Sequence, residues 1–272
     1  MFDFLQPYRS EIYHMASMAR SGETLLLKIL NSHSQINVVH NLEEKDSSEE
    51  EKAFNYLKGY SLKHISRTNK FIKYLNLEKG QVILLKQGVW QHPYSFNGFI
   101  LSRNPISIYA SLKTYDTNHP DFDLEKNFWF ENRNRINRWL KDINPSLVND
   151  SGSEKPEEEF CKFYNYRMGS LLNTQLPVIR YEDLVNDPEN ELEKICKILN
   201  LPFEFQILNA HEHYDEGVVG HGKNVLSKPI SKKSLNKYKN IVTDKEFEFI
   251  ARQTKGVYEK YGYKLSDNEI LF

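Results

Sequence analysis

One stretch, Met18-Ala-Arg-Ser-Gly-Glu-Thr-Leu-Leu-Leu-Lys-Ile-Leu-Asn-Ser-His33, constrains the fold more than any other part of the chain. It follows Glu11-Ile-Tyr-His-Met-Ala-Ser17, an apolar, β-compatible run with the profile of a buried strand. Within it Leu25, Leu26, Ile29 and Leu30 recur at helical spacing. Between strand and helix stand Arg20, Ser21, Gly22 and Thr24, which are cationic, hydroxylated or small. The glycine lets the backbone turn tightly. A strand, a short polar loop and a helix N-terminus make an anion cradle, where unpaired N–H groups and the positive end of the helix dipole converge. A phosphate or a sulfate suits it. The same residues also fit a plainer description, an N-cap with an acidic first turn at Glu23. Gly-x-x-x-x-Gly-Lys-[Ser/Thr] is absent and no lysine directly precedes Thr24, which weighs against an ordinary P-loop kinase.

The rest of the chain alternates strands with helices. Ser34 to Glu44 predicts a short strand leading into a loop, and Lys45 to Lys52 an acidic run that starts a helix. Residues 53–78 pattern as helical surface with anchors such as Phe54, Tyr56 and Leu57. Gln81-Val-Ile-Leu-Leu85 is an unbroken apolar strand closing on Lys86, and Gly98-Phe-Ile-Leu-Ser102 is another, closing on Arg103. Pro105 opens a helix through Leu112, at a position where its missing N–H is harmless. Residues 124–141 are amphipathic, and Pro145 to Pro156 predicts a polar, disordered connection. A long helix carries Phe160, Phe163, Tyr164, Met168, Leu171 and Leu172 on its apolar side. Pro177-Val-Ile-Arg-Tyr181 is the last strand, and Pro188–Leu199 and Asp244–Tyr261 are helices. Near-continuous apolar strands alternating with helices predict a parallel sheet covered on both faces. The expected fold is therefore α/β: a single domain over residues 1–272 with a central parallel sheet flanked by helices. Ligands of such sheets bind at the carboxyl ends of the strands.

Composition narrows the function. Thirty-six Lys and Arg face 37 Asp and Glu, so no global basic field argues for nucleic acid. Cys161 and Cys196 are far apart and sit on apolar helix faces, without disulfide or metal spacing. The first residues lack a basic region followed by an apolar core, and no apolar run approaches membrane-spanning length. A soluble, cytoplasmic protein with no nucleic-acid or membrane partner is expected. His211-x-His213 lacks further ligands, so no metal site is expected.

The residues just past each strand share a chemistry. The first strand delivers Arg20, Ser21 and Gly22; the second His40, Glu43 and Glu44; the third Lys86; the fourth Arg103; the last Tyr181 and Glu182. Cations that neutralise transferred charge, converging with a carboxylate or imidazole that removes a proton, suit transfer of an anionic group.

Three separated motifs then carry a resemblance to the sulfotransferase family, which moves a sulfuryl group from 3′-phosphoadenosine 5′-phosphosulfate (PAPS) to an acceptor. Arg20-Ser-Gly-Glu-Thr-Leu-Leu26 resembles that family's Arg-Ser-Gly-Thr-Thr-Leu loop, which holds the donor's 5′-phosphosulfate. Leu101-Ser-Arg-Asn-Pro-Ile-Ser-Ile-Tyr-Ala-Ser111 resembles its Arg-[Asp/Asn]-Pro…Ser segment, which implies that Arg103 and Ser111 bind the 3′-phosphate. Val178-Ile-Arg-Tyr-Glu-Asp-Leu-Val-Asn-Asp-Pro-Glu189 resembles a segment whose tyrosine, here Tyr181, lies near the adenosine. The likeness runs from about residue 11 to Tyr263. More loosely, Lys86 stands where several members carry a lysine that touches the sulfonate. Lys228 to Tyr238 resembles a late segment that folds over the nucleotide, with Lys237, or else Lys223, as a further phosphate ligand.

The resemblance implies in-line transfer without a metal, leaving adenosine 3′,5′-bisphosphate (PAP). Backbone N–H groups of Ser21, Gly22, Glu23, Thr24 and Leu25 would hold the 5′-phosphate and sulfate, with Arg20 and Lys86 stabilising charge on the moving group. The base lies in the loop after the second strand, where Glu43 leads, His40 is second and Glu44 third. Glu23 replaces a usual Thr or Ser, and its side chain is expected to point outward so that only its N–H faces the donor. Glu43, Glu44, Asp46, Glu49, Glu50 and Glu51 crowd one lip of the acceptor cleft, which points to a small hydroxylated (or amine) acceptor, a cationic secondary metabolite, over polyanionic sugars. Alternatives are a carbohydrate sulfotransferase, a P-loop phosphotransferase, and a nucleotide-binding module without catalysis.

Overall fold

A five-stranded parallel sheet positions the site. Its strands are β1 (Ile12–Ser17), β2 (Ile36–Val39), β3 (Val82–Lys86), β4 (Gly98–Ser102) and β5 (Val178–Arg180), in the order β2-β3-β1-β4-β5. The computed structural model describes residues 12–39, 82–86, 97–114, 144–147, 155–215, 219–220, 224–266 and 268–272. Met15 pairs with Lys86 on one side and with Phe99 on the other, and Ser102 pairs with Arg180. The carboxyl ends of β1, β3, β4 and β5 therefore open onto one edge, as expected for a doubly covered parallel sheet.

Among the described residues six helices follow or flank these strands: α1 (Glu23–Asn31), α2 (Pro105–Lys113), α3 (Pro156–Leu172), α4 (Tyr181–Asn186), α5 (Pro188–Ile198) and α6 (Asp244–Tyr258). Strand side chains alternate between two apolar clusters. Ala16 and Ile100 pack with Ile108 of α2, Phe160 and Tyr164 of α3, and Ile250 of α6. Met15 and Phe99, their neighbours in sequence, pack with Leu26 and Leu30 of α1 and with Leu192 and Ile195 of α5. All five residues of β4 are buried, which explains its unbroken apolar run. Gly98 at its start has φ 148°, and a Cβ there would lie 1.9 Å from the His14 carbonyl oxygen, so the close approach of β1 requires glycine.

Caps match the sequence. Asn104 accepts from Ser107 N at 2.7 Å with Pro105 in the first turn of α2. Thr243 and Glu246 form a reciprocal box at α6. The same Glu246 carboxylate takes hydrogen bonds from Lys113 Nζ at 2.8 Å and Tyr109 Oη at 2.9 Å, tying α6 to α2. Cys161 and Cys196 are buried and unpaired on α3 and α5, as small hydrophobes; burial raises their thiols to about 12 and about 11.

Several elements differ from expectation. Tyr181 opens α4 and does not extend β5, because β5 pairs with β4 only through Arg180. The last helix ends at Tyr258, a 3-10 turn carries the chain through Tyr261, and Gly262 reverses it at φ 83°. A hairpin of β8 (Lys264–Ser266) and β9 (Glu269–Leu271) and a second short pair, β6 (Val219–Gly220) with β7 (Asn224–Val225), are too brief to leave a periodic signal. The connection expected after Pro145 begins with a 3-10 turn, Pro145–Leu147. The helices expected over 53–78 and 124–141 lie outside the described residues. Among the described residues no helix is long and apolar enough to cross a membrane.

Candidate active site

The loop after β1 is built by two left-handed residues. Arg20 has φ 71°, uncommon for a residue with a Cβ, and Gly22 has φ 97°. Ser21 N donates to Met18 O at 3.2 Å and closes the turn. Gly22 is also the N-cap of α1 and brings no side chain to satisfy the first-turn N–H groups. An anion is the natural acceptor for such groups. A Cβ on Gly22 would lie 2.2 Å from Cδ2 of Tyr181, so this glycine is required by both conformation and space.

Residues from three distant segments meet over this loop. Arg20 Nε donates to Ser111 Oγ at 3.0 Å. Arg103 donates from one terminal nitrogen to Arg20 O at 3.0 Å and from the other to Ser234 O at 3.4 Å. Its guanidinium carbon lies 4.4 Å from the centroid of the Tyr181 ring, and Tyr181 Oη shares a 2.7 Å hydrogen bond with Ser234 Oγ. Arg103 and Tyr181 are only 8% and 7% exposed. Arg103 Nε and Ser21 Oγ are buried without a hydrogen-bond partner among the described residues. Buried donors left this way are costly, and phosphate oxygens would satisfy both. The residues present thus fit a phosphorylated ligand.

A buried polar network fixes Asn104, the neighbour of Arg103. Glu182, fully buried, accepts from Asn104 N at 3.1 Å and Asn104 Nδ2 at 2.5 Å through one oxygen. Its other oxygen accepts from Tyr263 Oη at 2.8 Å, and that hydroxyl lies 3.1 Å from Ser102 Oγ. Burial, reinforced by the Glu182 charge, pushes the Tyr263 phenol well above its ordinary range.

Glu23 corrects the sequence reading. Its side chain does not point outward. The residue is 8% exposed, accepts from Ser17 Oγ, and sits 2.8 Å from Lys86 Nζ. An outward carboxylate would forgo the hydroxyl of β1 and the ammonium at the end of β3, both within reach of the first helical position. Behind it Arg167 of α3, 1% exposed, donates from Nε to Ser17 O at 3.1 Å. Burial pulls this guanidinium down to about 10, opposed by the Glu23 carboxylate.

Of the other expected residues, Thr24 and Leu25 lie in the first turn of α1. Lys237 is exposed, on a 3-10 turn (Lys237–Asn240), and the late segment meets Arg103 and Tyr181 through Ser234. Lys28 anchors the same segment, donating to Leu226 O at 3.0 Å and Lys228 O at 2.9 Å. His40, Glu43, Glu44 and Lys223 lie outside the described residues. Sequence reading missed Ser17 and Arg167 as supports, and it placed Glu182 at the last strand end without its role as the acceptor for Asn104. Arg167 had a signal, a cation four residues from both Phe163 and Leu171 on an apolar helix face.

The model of the sulfotransferase domain family matches residues 13–269. The chain belongs to the sulfotransferase family. Among solved structures it resembles the sulfotransferase domain from the curacin biosynthetic pathway, with a TM-score of 0.60 and 18% identity, covering 94% of this chain and 98% of that one. It also resembles the sulfotransferase domain of the Synechococcus PCC 7002 olefin synthase, with a TM-score of 0.55 and 17% identity, covering 94% and 96% of the two chains. Likeness at these identities is a likeness of fold. A search of curated proteins finds no match. The loop around Gly22 and the Arg103–Tyr181 pair lie at the sheet edge where ligands of parallel sheets bind.

Proposed function

We propose that this sulfotransferase takes its sulfuryl group from PAPS and passes it to the hydroxyl, or amine, of a small-molecule acceptor, releasing PAP. The observation that carries the reading is the meeting of Arg20, Gly22, Arg103, Ser111 and Tyr181 at one point, beside two buried polar atoms that lack partners among the described residues. Arg103 and Ser111 hold the 3′-phosphate and Tyr181 lies by the adenosine. The first-turn N–H groups from Ser21 to Leu25 hold the 5′-phosphate and sulfate. Bound there, the donor supplies an activated sulfuryl group. Arg20 and Lys86 stand where negative charge develops as that group leaves, the electrostatic part of the rate enhancement. Glu43 removes the acceptor's proton, with His40 and then Glu44 as the other candidates. The acidic stretch from Glu43 to Glu51 favours a cationic secondary metabolite as acceptor. Balanced charge and two unpaired buried cysteines support a cytoplasmic setting.

Calorimetric titration of PAP, without magnesium, tests the donor site. Micromolar or tighter binding to wild type, lost in Arg103→Ala, is expected, followed by transfer from PAPS in an acceptor screen. Wild type that does not bind PAP overturns the reading. Binding without turnover on any acceptor marks a module without catalysis.

A further inference from the structure

A carboxylate buried in an anion-binding loop opposes the loop's own ligand unless it holds something else in place. Glu23 is held by two groups, with a third charge behind them. Ser17 Oγ donates to Oε1, Lys86 Nζ lies 2.8 Å from Oε2, and Arg167 bears on its charge from α3 while donating to the Ser17 carbonyl. The Lys86 and Glu23 side chains are 17% and 10% exposed, so solvent and salt screen the pair weakly. Ser17 of β1, braced by Arg167 of α3, thus fixes the carboxylate, and the carboxylate fixes Lys86 of β3.

We propose that Glu23 is a positioning residue that holds the Lys86 ammonium at the mouth of the donor loop, a role that rests on the reading of this loop as the sulfuryl-donor site. Lysine is a compact charge on a flexible four-carbon stem, and ordering that stem is what a charged group needs before it can meet a moving anion. An ammonium has three N–H donors. One directed at Glu23 leaves two for the oxygens of the transferred group. The pair is neutral overall, so Glu23 contributes geometry while Arg20 and Arg103 supply the net attraction for the donor. Two effects of opposite sign follow. Removing the carboxylate relieves repulsion and tightens nucleotide binding, while releasing Lys86 slows transfer.

The test uses Glu23→Gln, which keeps shape, Glu23→Thr, which restores the residue type usual in the resembling loop, Lys86→Met, and the Glu23→Gln/Lys86→Met double variant. Sulfuryl transfer from PAPS is expected to show kcat lowered about 10- to 100-fold in both Glu23 variants, with PAP bound as tightly as by wild type or several-fold tighter. In the Lys86→Met background Glu23→Gln is expected to leave kcat unchanged. A structural role alone would weaken binding and turnover together. Unchanged kcat, or an equal fall in the Lys86→Met background, overturns the proposal. Nucleotide-free protein with 15N-labelled lysine supplies an arm independent of the donor. The Lys86 ammonium is expected to be ordered by NMR in wild type and to lose that order in Glu23→Gln. An ammonium equally mobile in both overturns the hold itself. Wild type that shows the hold but transfers nothing from PAPS overturns the donor reading instead.

Discussion

The guanidinium carbon of Arg103 sits 4.4 Å from the centroid of the Tyr181 ring, and the edge of that ring closes over Gly22. One aromatic side chain thus spaces Arg103 from the loop around Gly22. A desolvated cation–π contact is worth about 0.5–2 kcal/mol. Tyr181→Leu is expected to weaken PAP binding about 2- to 30-fold by calorimetry. Tyr181→Phe keeps the ring and loses only the Ser234 hydrogen bond, so a smaller loss is expected.

Two glycines should fail differently. Gly22→Ala must hold φ 97° with a side chain and push the Tyr181 ring, which can move. A left-handed alanine costs about 1–2 kcal/mol. A folded protein is expected, with a thermal midpoint lower by about 5 °C and PAP binding abolished. Gly98→Ala would drive its Cβ into the His14 carbonyl at 1.9 Å, a backbone contact within the central strands. Little or no soluble folded protein is expected. Equal behaviour of the two variants in melts would contradict this distinction.

The Glu182 network separates support from contact. Tyr263→Phe leaves Glu182 with one donor fewer while Asn104 remains bound. A stability loss of about 1–3 kcal/mol is expected in urea titrations, with PAP affinity nearly unchanged. Glu182→Ala removes the acceptor that fixes Asn104 beside Arg103, and PAP affinity is expected to fall as well.

Legibility in the sequence followed the range of the forces involved. β4 and α2 stand where Gly98–Ser102 and Pro105 put them, because an apolar run and a first-turn proline act locally. The turn at Gly22 was legible for the same reason, since a glycine's conformational freedom acts within one turn, whereas the left-handed Arg20 was not. The bend from β5 into α4 at Tyr181 depends on where β4 stops offering partners, which no local pattern records. The inward turn of Glu23 is the clearest case. Its partners come from β1 and β3, with Arg167 of α3 behind, and only the folded sheet brings Ser17, Lys86 and Arg167 to one helix start. Ser234 likewise reaches Arg103 and Tyr181 from a late segment whose basic residues drew attention to Lys237.

His14 provides a pH signature of the folded chain. It lies on β1, the central strand, and burial lowers its imidazole from 6.5 to about 4. Between those values the unfolded chain binds a proton that the folded chain does not. Stability is therefore lost as pH falls through that window and is fully present above it. Urea titrations are expected to show a loss of about 1–2 kcal/mol between pH 7 and pH 5. In His14→Gln that slope is expected to vanish, whatever the variant's absolute stability. Glu204 and Glu246 also sit below their ordinary value of 4.5, since hydrogen bonds from Ser34 and Lys113 outweigh their burial. Their stabilisation is lost only as pH falls below that value, so the two phases separate. A slope between pH 7 and pH 5 that persists in His14→Gln would assign the titration to another group.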